Sequence, residues 1–241
     1  NNNWNLYANY AKGRRSPVVD ASAAGTTITK AEIVDSYDLG VKYQSANFIF
    51  SGAIFTYEYS DYQQSYTDQE TMQSITVTVG DSTMSGIEGM ATYNYSDTLT
   101  FTASLGFLDA EFADNTSDGS PFQYGGNKFR LAPEVSGAIN INKVVHFDNW
   151  TMDVNWLTSF QSEVFFESSN YPGMSQDTYS LTDFSLKLNR ESSEFAYEFY
   201  VNNLFDKEFL IDAGNTGGRI GIPTFVRGMP RIAGVRLYYA F

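Results

Sequence analysis

An alternation of apolar and polar residues with a period of two runs through this chain and constrains its fold more than any other feature. The closing segment 229–241 places five apolar or aromatic residues on one side of a strand: Ala233, Val235, Leu237, Tyr239 and Phe241. Successive side chains of a strand point to opposite faces. A soluble protein must cover such a stripe with a second layer, whereas a transmembrane β-barrel turns it toward lipid. The closing strand therefore points to a membrane barrel, provided that the pattern recurs upstream.

The pattern does recur. Between residues 99 and 107, apolar Leu, Phe and Ala alternate one by one with Thr, Ser and Gly. A shift of one residue would carry charges such as Lys187 or Glu198 into the apolar layer, so each register is well specified. The alternation predicts an all-β chain of ten antiparallel strands, at about residues 3–12, 32–44, 47–64, 72–95, 98–112, 128–142, 149–166, 178–190, 195–211 and 229–241.

Composition narrows the class of protein. No apolar run approaches the roughly 18 residues that a transmembrane helix needs, which excludes a helical membrane protein. The formal charge of −13 argues against a nucleic-acid partner, because phosphate binding requires a basic surface. Cysteine is absent, so the chain has neither a disulfide framework nor a thiolate metal site. The same alternating unit recurs without a linker, which predicts one domain over residues 1–241.

The connections between the predicted strands alternate between short and long. The short ones are 45–46, 96–97 and 191–194, and the long ones are 13–31, 113–127, 167–177 and 212–228. Short turns on one rim and long loops on the other are typical of bacterial outer-membrane barrels, in which the long loops are extracellular. This arrangement predicts a periplasmic carboxyl terminus. The amino-terminal residues lack a signal-peptide pattern, so we expect that a leader was removed or that a longer polypeptide precedes Asn1.

Five segments, in order, resemble the carboxy-terminal half of the barrel of TonB-dependent outer-membrane receptors. They are NLYANYAKGRRSP at 5–17, SYDLGVK at 36–42, SGIEGM at 85–90, VNNLFDKEF at 201–209 and GMPRIAGVRLYYAF at 228–241. The resemblance implies the last ten strands of a 22-stranded barrel that is plugged by an amino-terminal domain. It also implies active uptake of a scarce ligand, such as a ferric siderophore, cobalamin or an oligosaccharide, driven by TonB through that plug. The plug and the earlier strands have no counterpart in this chain, so we expect them elsewhere in a full receptor.

Two adjacent arginines stand at the mouth of the first long loop. Arg14 and Arg15 are suited to grip an anionic ligand with paired hydrogen bonds. Contact with lipopolysaccharide phosphates at the membrane surface is an equally good interpretation, and the sequence does not separate the two.

Other loop residues are candidates for a ligand vestibule, because binding residues concentrate on loops carried by a rigid scaffold. They are Phe122, Tyr124, Tyr171, Met174, Arg219 and Phe225. The alternative is that such aromatics pack loops together or mark the membrane interface. Asn202, Asn203 and Asp206 fit the polar end of a strand, with contact to a plug as the second interpretation.

The sequence offers little for catalysis or metal binding. His146 is the single histidine and falls in a predicted periplasmic turn, 143–149, away from the loops where a hydrolase would need its imidazole. The segment 114–119 is rich in oxygen ligands but lacks the full ligand series of an EF-hand. We therefore expect no enzyme activity, no cofactor and no bound metal.

Two further classes remain as alternatives to a receptor section. A self-contained ten-stranded porin or adhesin would have the same strands, but its first and last strands would pair, bringing Asn5 near Leu237. A soluble β-sandwich is disfavoured because ten uncovered apolar stripes exceed what soluble monomers expose.

Overall fold

Ten antiparallel strands form one sheet, and each of them pairs with the strand of that sheet that follows it in the chain. The structure, a computed structural model, describes residues 3–22, 25–67, 74–113, 124–214 and 223–240. The strands of the sheet are β1 (Trp4–Arg15), β4 (Glu32–Gln44), β5 (Phe48–Thr67), β6 (Ser74–Ser96), β7 (Leu99–Phe112), β8 (Val135–Phe147), β9 (Trp150–Gln161), β12 (Tyr179–Arg190), β13 (Phe195–Asn202) and β16 (Ile232–Tyr239). Three small hairpins lie in the connections: β2 (Val19–Ser22) with β3 (Gly25–Ile28), β10 (Val164–Phe165) with β11 (Ser175–Gln176), and β14 (Leu210–Gly214) with β15 (Thr224–Arg227). The described residues include no helix that is long and apolar enough to cross a membrane.

All ten predicted strands are confirmed, but several of their boundaries were wrong, with the largest differences in β8, β9 and β13. Strand β8 begins at Val135, seven residues after its predicted start. Strand β8 continues to Phe147, so His146 lies in a strand and the turn contains only Asp148 and Asn149. Asp148 has a φ of 49°, the left-handed conformation that a two-residue hairpin uses. Strand β9 ends at Gln161, several residues before the predicted end.

Strand β13 ends at Asn202 rather than at residue 211, because Asn203 turns the chain. Asn203 has a φ of 50° and is buried. Its side-chain amide donates to the carbonyl oxygens of Lys207 and Met229, while its own oxygen accepts from the Lys207 N–H. These bonds support the interpretation of Asn203 as a residue that closes the end of a strand.

The pairing register keeps apolar residues together on one face of the sheet. Along one row, Ala8 pairs with Leu39, Leu39 with Ile54, Ile54 with Ile87, and Ile87 with Phe107. Leu105, Phe199 and Leu237 lie on the same face and are 44%, 48% and 59% exposed. No second layer of the described chain covers this face, which a soluble protein would not tolerate.

The apolar face has a height close to that of a transmembrane barrel's outer band. In β1 the apolar run from Trp4 to Tyr10 extends about 20 Å at about 3.3 Å per residue. Lys12, paired with Asp35, marks its upper end, as Asp109 does on β7. Transmembrane barrels carry an outward apolar band of about 25 Å.

The opposite face is polar and concave. One row of paired residues on this face reads Tyr7, Gly40, Ala53, Glu88, Gly106, Ser136, Gln161 and Tyr179. A cleft of about 590 Å³ opens on it, lined by Tyr7, Lys42, Ser51, Glu88 and Ser104 among others. The polar residues therefore face the interior of the curved sheet.

Aromatic rings on the concave face lie over glycines of the neighbouring strand. Tyr7 covers Gly40, Phe55 covers Gly86 and Tyr200 covers Gly234, each ring and glycine being direct cross-strand partners. A ring packed over a glycine fixes the register of a strand pair.

Replacing one of these glycines with alanine is predicted to destabilise the sheet. At Gly86 a Cβ atom would lie 2.6 Å from both the Phe107 carbonyl oxygen and Phe55 Cζ. We expect Gly86→Ala to lower the free energy of unfolding by about 1–3 kcal/mol, as overpacking does. Urea unfolding of the purified protein in detergent micelles measures this change.

Gly106→Ala is the matched control, because its Cβ would meet nothing closer than Ser136 Oγ at 3.6 Å. Equal unfolding midpoints for the two variants would contradict the prediction.

Candidate functional site

The described parts of the connections 16–31, 113–134, 162–178 and 203–231 lie at one end of the sheet, here called the long-loop rim. The opposite end, the short-turn rim, carries the tight turns. The described parts of the long connections fold onto the ends of the strands and onto one another, so they build an extension of the wall.

An aromatic cluster anchors this extension on the concave side. Phe112 and Phe129 are buried, with ring centroids 4.7 Å apart. The Tyr62 ring lies 5.3 Å from that of Phe129, and the Tyr124 ring lies 5.5 Å from that of Phe112. The candidate ligand residue Tyr124 is thus half-buried at the edge of a packed cluster.

The segment 124–134 continues the sheet beside β7, where β8 has not yet begun. The Phe129 N–H donates to the Ala110 carbonyl, and the Phe112 N–H donates to the Asn127 carbonyl. On the outer side, Lys128 Nζ lies 2.8 Å from Asp109 and 3.2 Å from Glu134. The hydrogen bond to Asp109 is the main cause that raises the pKa of Lys128, so this ammonium remains charged.

The segment 162–178 packs against 124–134. Asn170 bonds to the backbone of Lys128, and the Leu131 N–H donates to the Phe165 carbonyl. Tyr171, the residue after Asn170, is 61% exposed. The Met174 N–H donates to the Tyr171 carbonyl, so the two candidate residues belong to one turn.

The last connection, 203–231, packs against the segment 162–178. Leu210 N–H donates to Gln176 Oε1 at 2.6 Å, and Ala213 is buried against Val164 and Phe166. Phe225 pairs with Ala213 across the β14–β15 hairpin and is half exposed.

The structure separates the two candidate arginines. Arg15 lies on the concave face, where it donates to the Gln63 carbonyl at 3.2 Å and lies 4.0 Å from Glu32. Arg14, paired with Ile33, lies on the apolar face just beyond Tyr10 and Lys12. Since adjacent strand residues point to opposite faces, the two guanidinium groups do not approach one ligand from the same side.

Some sequence candidates lie outside the described residues, namely Phe122, Arg219 and the segment 114–119. His146 is exposed at the short-turn rim, with Nδ1 3.2 Å from Thr151 Oγ1. Within the described ranges, no group of His, Asp and Glu residues is arranged to hold a metal ion.

Two carboxylates on the concave face were missed at the level of sequence. Asp38 and Glu88 line a second cleft of about 470 Å³ together with Asn9, Tyr57 and Met84. Asp38 accepts hydrogen bonds from Asn9 and Tyr57, and neither carboxylate forms an ion pair within the part of the chain that the structure describes. The available signal was their place on the polar side of strands with a well-defined register.

Comparison with known proteins identifies the family. Residues 1–204 match the family described as TonB dependent receptor-like, beta-barrel. The chain belongs to this family. The match extends over most of the chain and confirms the resemblance to this family; the segments 5–17, 36–42 and 85–90 lie wholly within it.

Similar proteins support the same conclusion. The pesticin receptor of Yersinia pestis is 22% identical over 209 residues, which cover 86% of this chain and 30% of that receptor. The crystal structure of the ferric yersiniabactin uptake receptor FyuA from Yersinia pestis has a TM-score of 0.84 at 19% identity, covering 100% of this chain and 35% of that one. BauA, the ferric preacinetobactin receptor from Acinetobacter baumannii, has a TM-score of 0.73 at 16% identity, covering 99% and 34%.

These likenesses confirm the predicted fold, a section of a transmembrane β-barrel. The chain spans about a third of the length of the proteins it matches.

The aromatic cluster is predicted to hold the segment 124–134 in place. We expect Phe129→Ala to remove about 3–5 kcal/mol of packing, because Phe129 is almost fully buried among rings. Amide hydrogen exchange in 124–134 should then accelerate at least about tenfold in the purified protein. Tyr171→Ala serves as the control, since that exposed side chain should leave the exchange rates unchanged; an equal acceleration in both variants would refute the assigned role.

Proposed function

We propose that this chain forms part of an outer-membrane uptake receptor, which binds a scarce ligand at the long-loop rim and imports it with energy from TonB. The family match, together with a TM-score of 0.84 to a siderophore uptake receptor, is the observation that carries the proposal. Transport, rather than catalysis, is the function of such receptors.

In this proposal the long-loop rim faces the outside of the cell, and the short-turn rim with the carboxyl terminus faces the periplasm. The apolar face contacts the lipid of the outer membrane. Lys12, Arg14 and Lys128 then lie at the level of lipopolysaccharide headgroups. Arg14 is the best placed of them to bind a phosphate, because Lys12 is bound to Asp35 and Lys128 to Asp109.

The concave face would enclose the plug domain through which TonB acts. Asp38 and Glu88 offer carboxylates without an ion pair among the described residues. A desolvated carboxylate is costly unless it gains a cationic or hydrogen-bonding partner. We therefore expect basic side chains of the plug to meet these two groups.

A ferric siderophore is the favoured class of ligand over cobalamin or an oligosaccharide. Among the structural relatives, FyuA takes up ferric yersiniabactin, BauA is the receptor of ferric preacinetobactin, and FecA from the same comparison is the ferric citrate transporter. The proposed ligand wall contains Arg15, Tyr124, Tyr171, Met174 and Phe225. Phe122 and Arg219 remain candidates.

The arrangement of edge strands favours a receptor section over a self-contained porin or adhesin. Among the described residues, strand β1 pairs with β4 alone and β16 with β13 alone, so the ten-stranded sheet is not closed there by its own edges. A small barrel would require β1 and β16 to pair with each other.

Uptake in cells tests the function. Bacteria that produce the full-length receptor are supplied with radioactive iron as ferric yersiniabactin, ferric preacinetobactin or ferric citrate, and with labelled cobalamin in parallel. We expect at least one iron chelate to accumulate only when both the receptor and TonB are present. Accumulation that persists without TonB, or no accumulation by cells that display the receptor, would defeat the proposal.

The positions of the two arginines give a separate prediction about lipid. We expect Arg14→Ala to reduce the lipopolysaccharide that copurifies with the full-length receptor by about half, because an outward phosphate contact is lost. Arg15→Ala is the control, since that side chain lies on the concave face. Phosphate analysis of the purified receptors measures the difference, and equal amounts in both variants would contradict the outward role of Arg14.

A further inference from the structure

Two loop segments at the long-loop rim are joined side by side as if they were strands. The Leu131 N–H donates to the Phe165 carbonyl at 2.8 Å, and Asn127 Nδ2 donates to the Ser168 carbonyl at 2.9 Å. The segment 124–134 is thus bonded to β7 on one side and to residues 165–170 on the other. Among the described residues no strand ladder joins these two segments, so single hydrogen bonds, several of them from side chains, form the joint.

Asn170 makes the central contact of this joint. The Lys128 N–H donates to Asn170 Oδ1 at 2.7 Å, and Asn170 Nδ2 donates back to the Lys128 carbonyl at 2.9 Å. A single side chain thereby satisfies both backbone groups of Lys128, as a peptide group of a neighbouring strand would. An amide of this length offers a donor and an acceptor together, which a carboxylate or a hydroxyl does not provide in this geometry.

The backbone at Asn170 is matched to the same residue type. Its φ is 47°, a left-handed conformation that asparagine tolerates far better than most residues. Asn170 Nδ2 also donates to the Glu167 carbonyl at 3.2 Å, which closes its own turn. Both the turn and the contact with the neighbouring segment therefore depend on one side chain.

The turn that Asn170 fixes carries two residues of the proposed ligand wall. Tyr171 is the next residue, and its carbonyl accepts from the Met174 N–H at 3.0 Å. The Met174 carbonyl in turn accepts from the Phe166 N–H at 2.9 Å. A shift at residue 170 would therefore displace both side chains relative to the segment 124–134 and Tyr124.

We propose that Asn170 is a positioning residue for ligand binding, which holds the Tyr171–Met174 turn against the segment 124–134 before the ligand arrives. The inference rests on the proposed function, because it assigns a role within the same ligand wall. Holding contact residues in the bound arrangement reduces the ordering cost of binding, so its loss weakens affinity rather than the later steps of transport.

The test compares variants of the full-length receptor in binding and uptake. Asn170→Gly keeps the positive φ and removes both bonds to Lys128, whereas Asn170→Asp keeps only the acceptor. Each receptor is titrated with ferric yersiniabactin, ferric preacinetobactin and ferric citrate. We expect Kd for the bound chelate to rise about tenfold in Asn170→Gly and by a smaller factor in Asn170→Asp, while uptake at saturating chelate stays at the wild-type rate.

Two further variants separate positioning from general stability. Asn155→Asp repeats the change of Asn170→Asp at an asparagine on the concave face of β9, where Asn155 Oδ1 accepts from Asn140 Nδ2 at 3.2 Å. This variant should leave Kd unchanged. Tyr171→Ala should weaken binding. The double variant Asn170→Gly with Tyr171→Ala should bind no more weakly than Asn170→Gly alone, because Asn170 acts on Tyr171 by holding its turn.

The outcomes distinguish the two proposals. A wild-type receptor that binds none of the chelates defeats the proposed function and, with it, the role of Asn170. If the wild type binds a chelate, then an unchanged Kd in Asn170→Gly, an equal loss in Asn155→Asp or additive losses in the double variant would overturn the positioning role alone.

Discussion

The backbone hydrogen-bond ladder, held in one register across ten strands, is the constraint on which the rest of the structure depends. Inside a membrane no water is available to satisfy peptide groups, so each strand must be paired by its neighbours. Because side chains alternate, this single register also decides which residues lie on the apolar face and which lie on the polar, concave face. The apolar band, the polar concave face and the heights at which charges begin are all consequences of it.

The register explains part of the composition of three of the five characteristic segments. Gly40, Gly86 and Gly234 occur in three of them, and each glycine lies under an aromatic ring of the adjacent strand. Glu88 is in the same segment as Gly86 and points to the concave face. These segments therefore combine residues that fix strand pairing with residues on the concave face.

The ten strands of the sheet could be predicted from the sequence, because the alternation of apolar and polar residues is a local signal. The prediction of strand ends failed where the alternation is interrupted. Val144 and Val145 are consecutive apolar residues, so the alternation gave no reason to extend β8 through His146. It also overran Asn203, whose left-handed turn depends on bonds to Lys207 and Met229. A contact with a residue 26 positions away leaves no periodic trace in the sequence.

The candidate ligand wall was predictable only as a set of loops. Arg14 and Arg15 are adjacent in sequence, yet the strand places them on opposite faces, which follows once β1 is known to continue through Arg15. Asn170 was not singled out at all, because its partner Lys128 is 42 residues away and both lie in irregular segments. Tertiary hydrogen bonds of single side chains decide such regions, and local composition does not encode them.

The rings that cover glycines affect the space inside the wall as well as the pairing of strands. An aromatic side chain that lies flat across a neighbouring glycine projects little toward the centre, whereas the same ring beside a larger residue would have to stand upright. Tyr7, Phe55 and Tyr200 therefore add bulk and rigidity to the sheet while projecting little from its concave face. The concave side of the sheet therefore stays open in front of these three strand pairs, although each pair carries a large aromatic side chain.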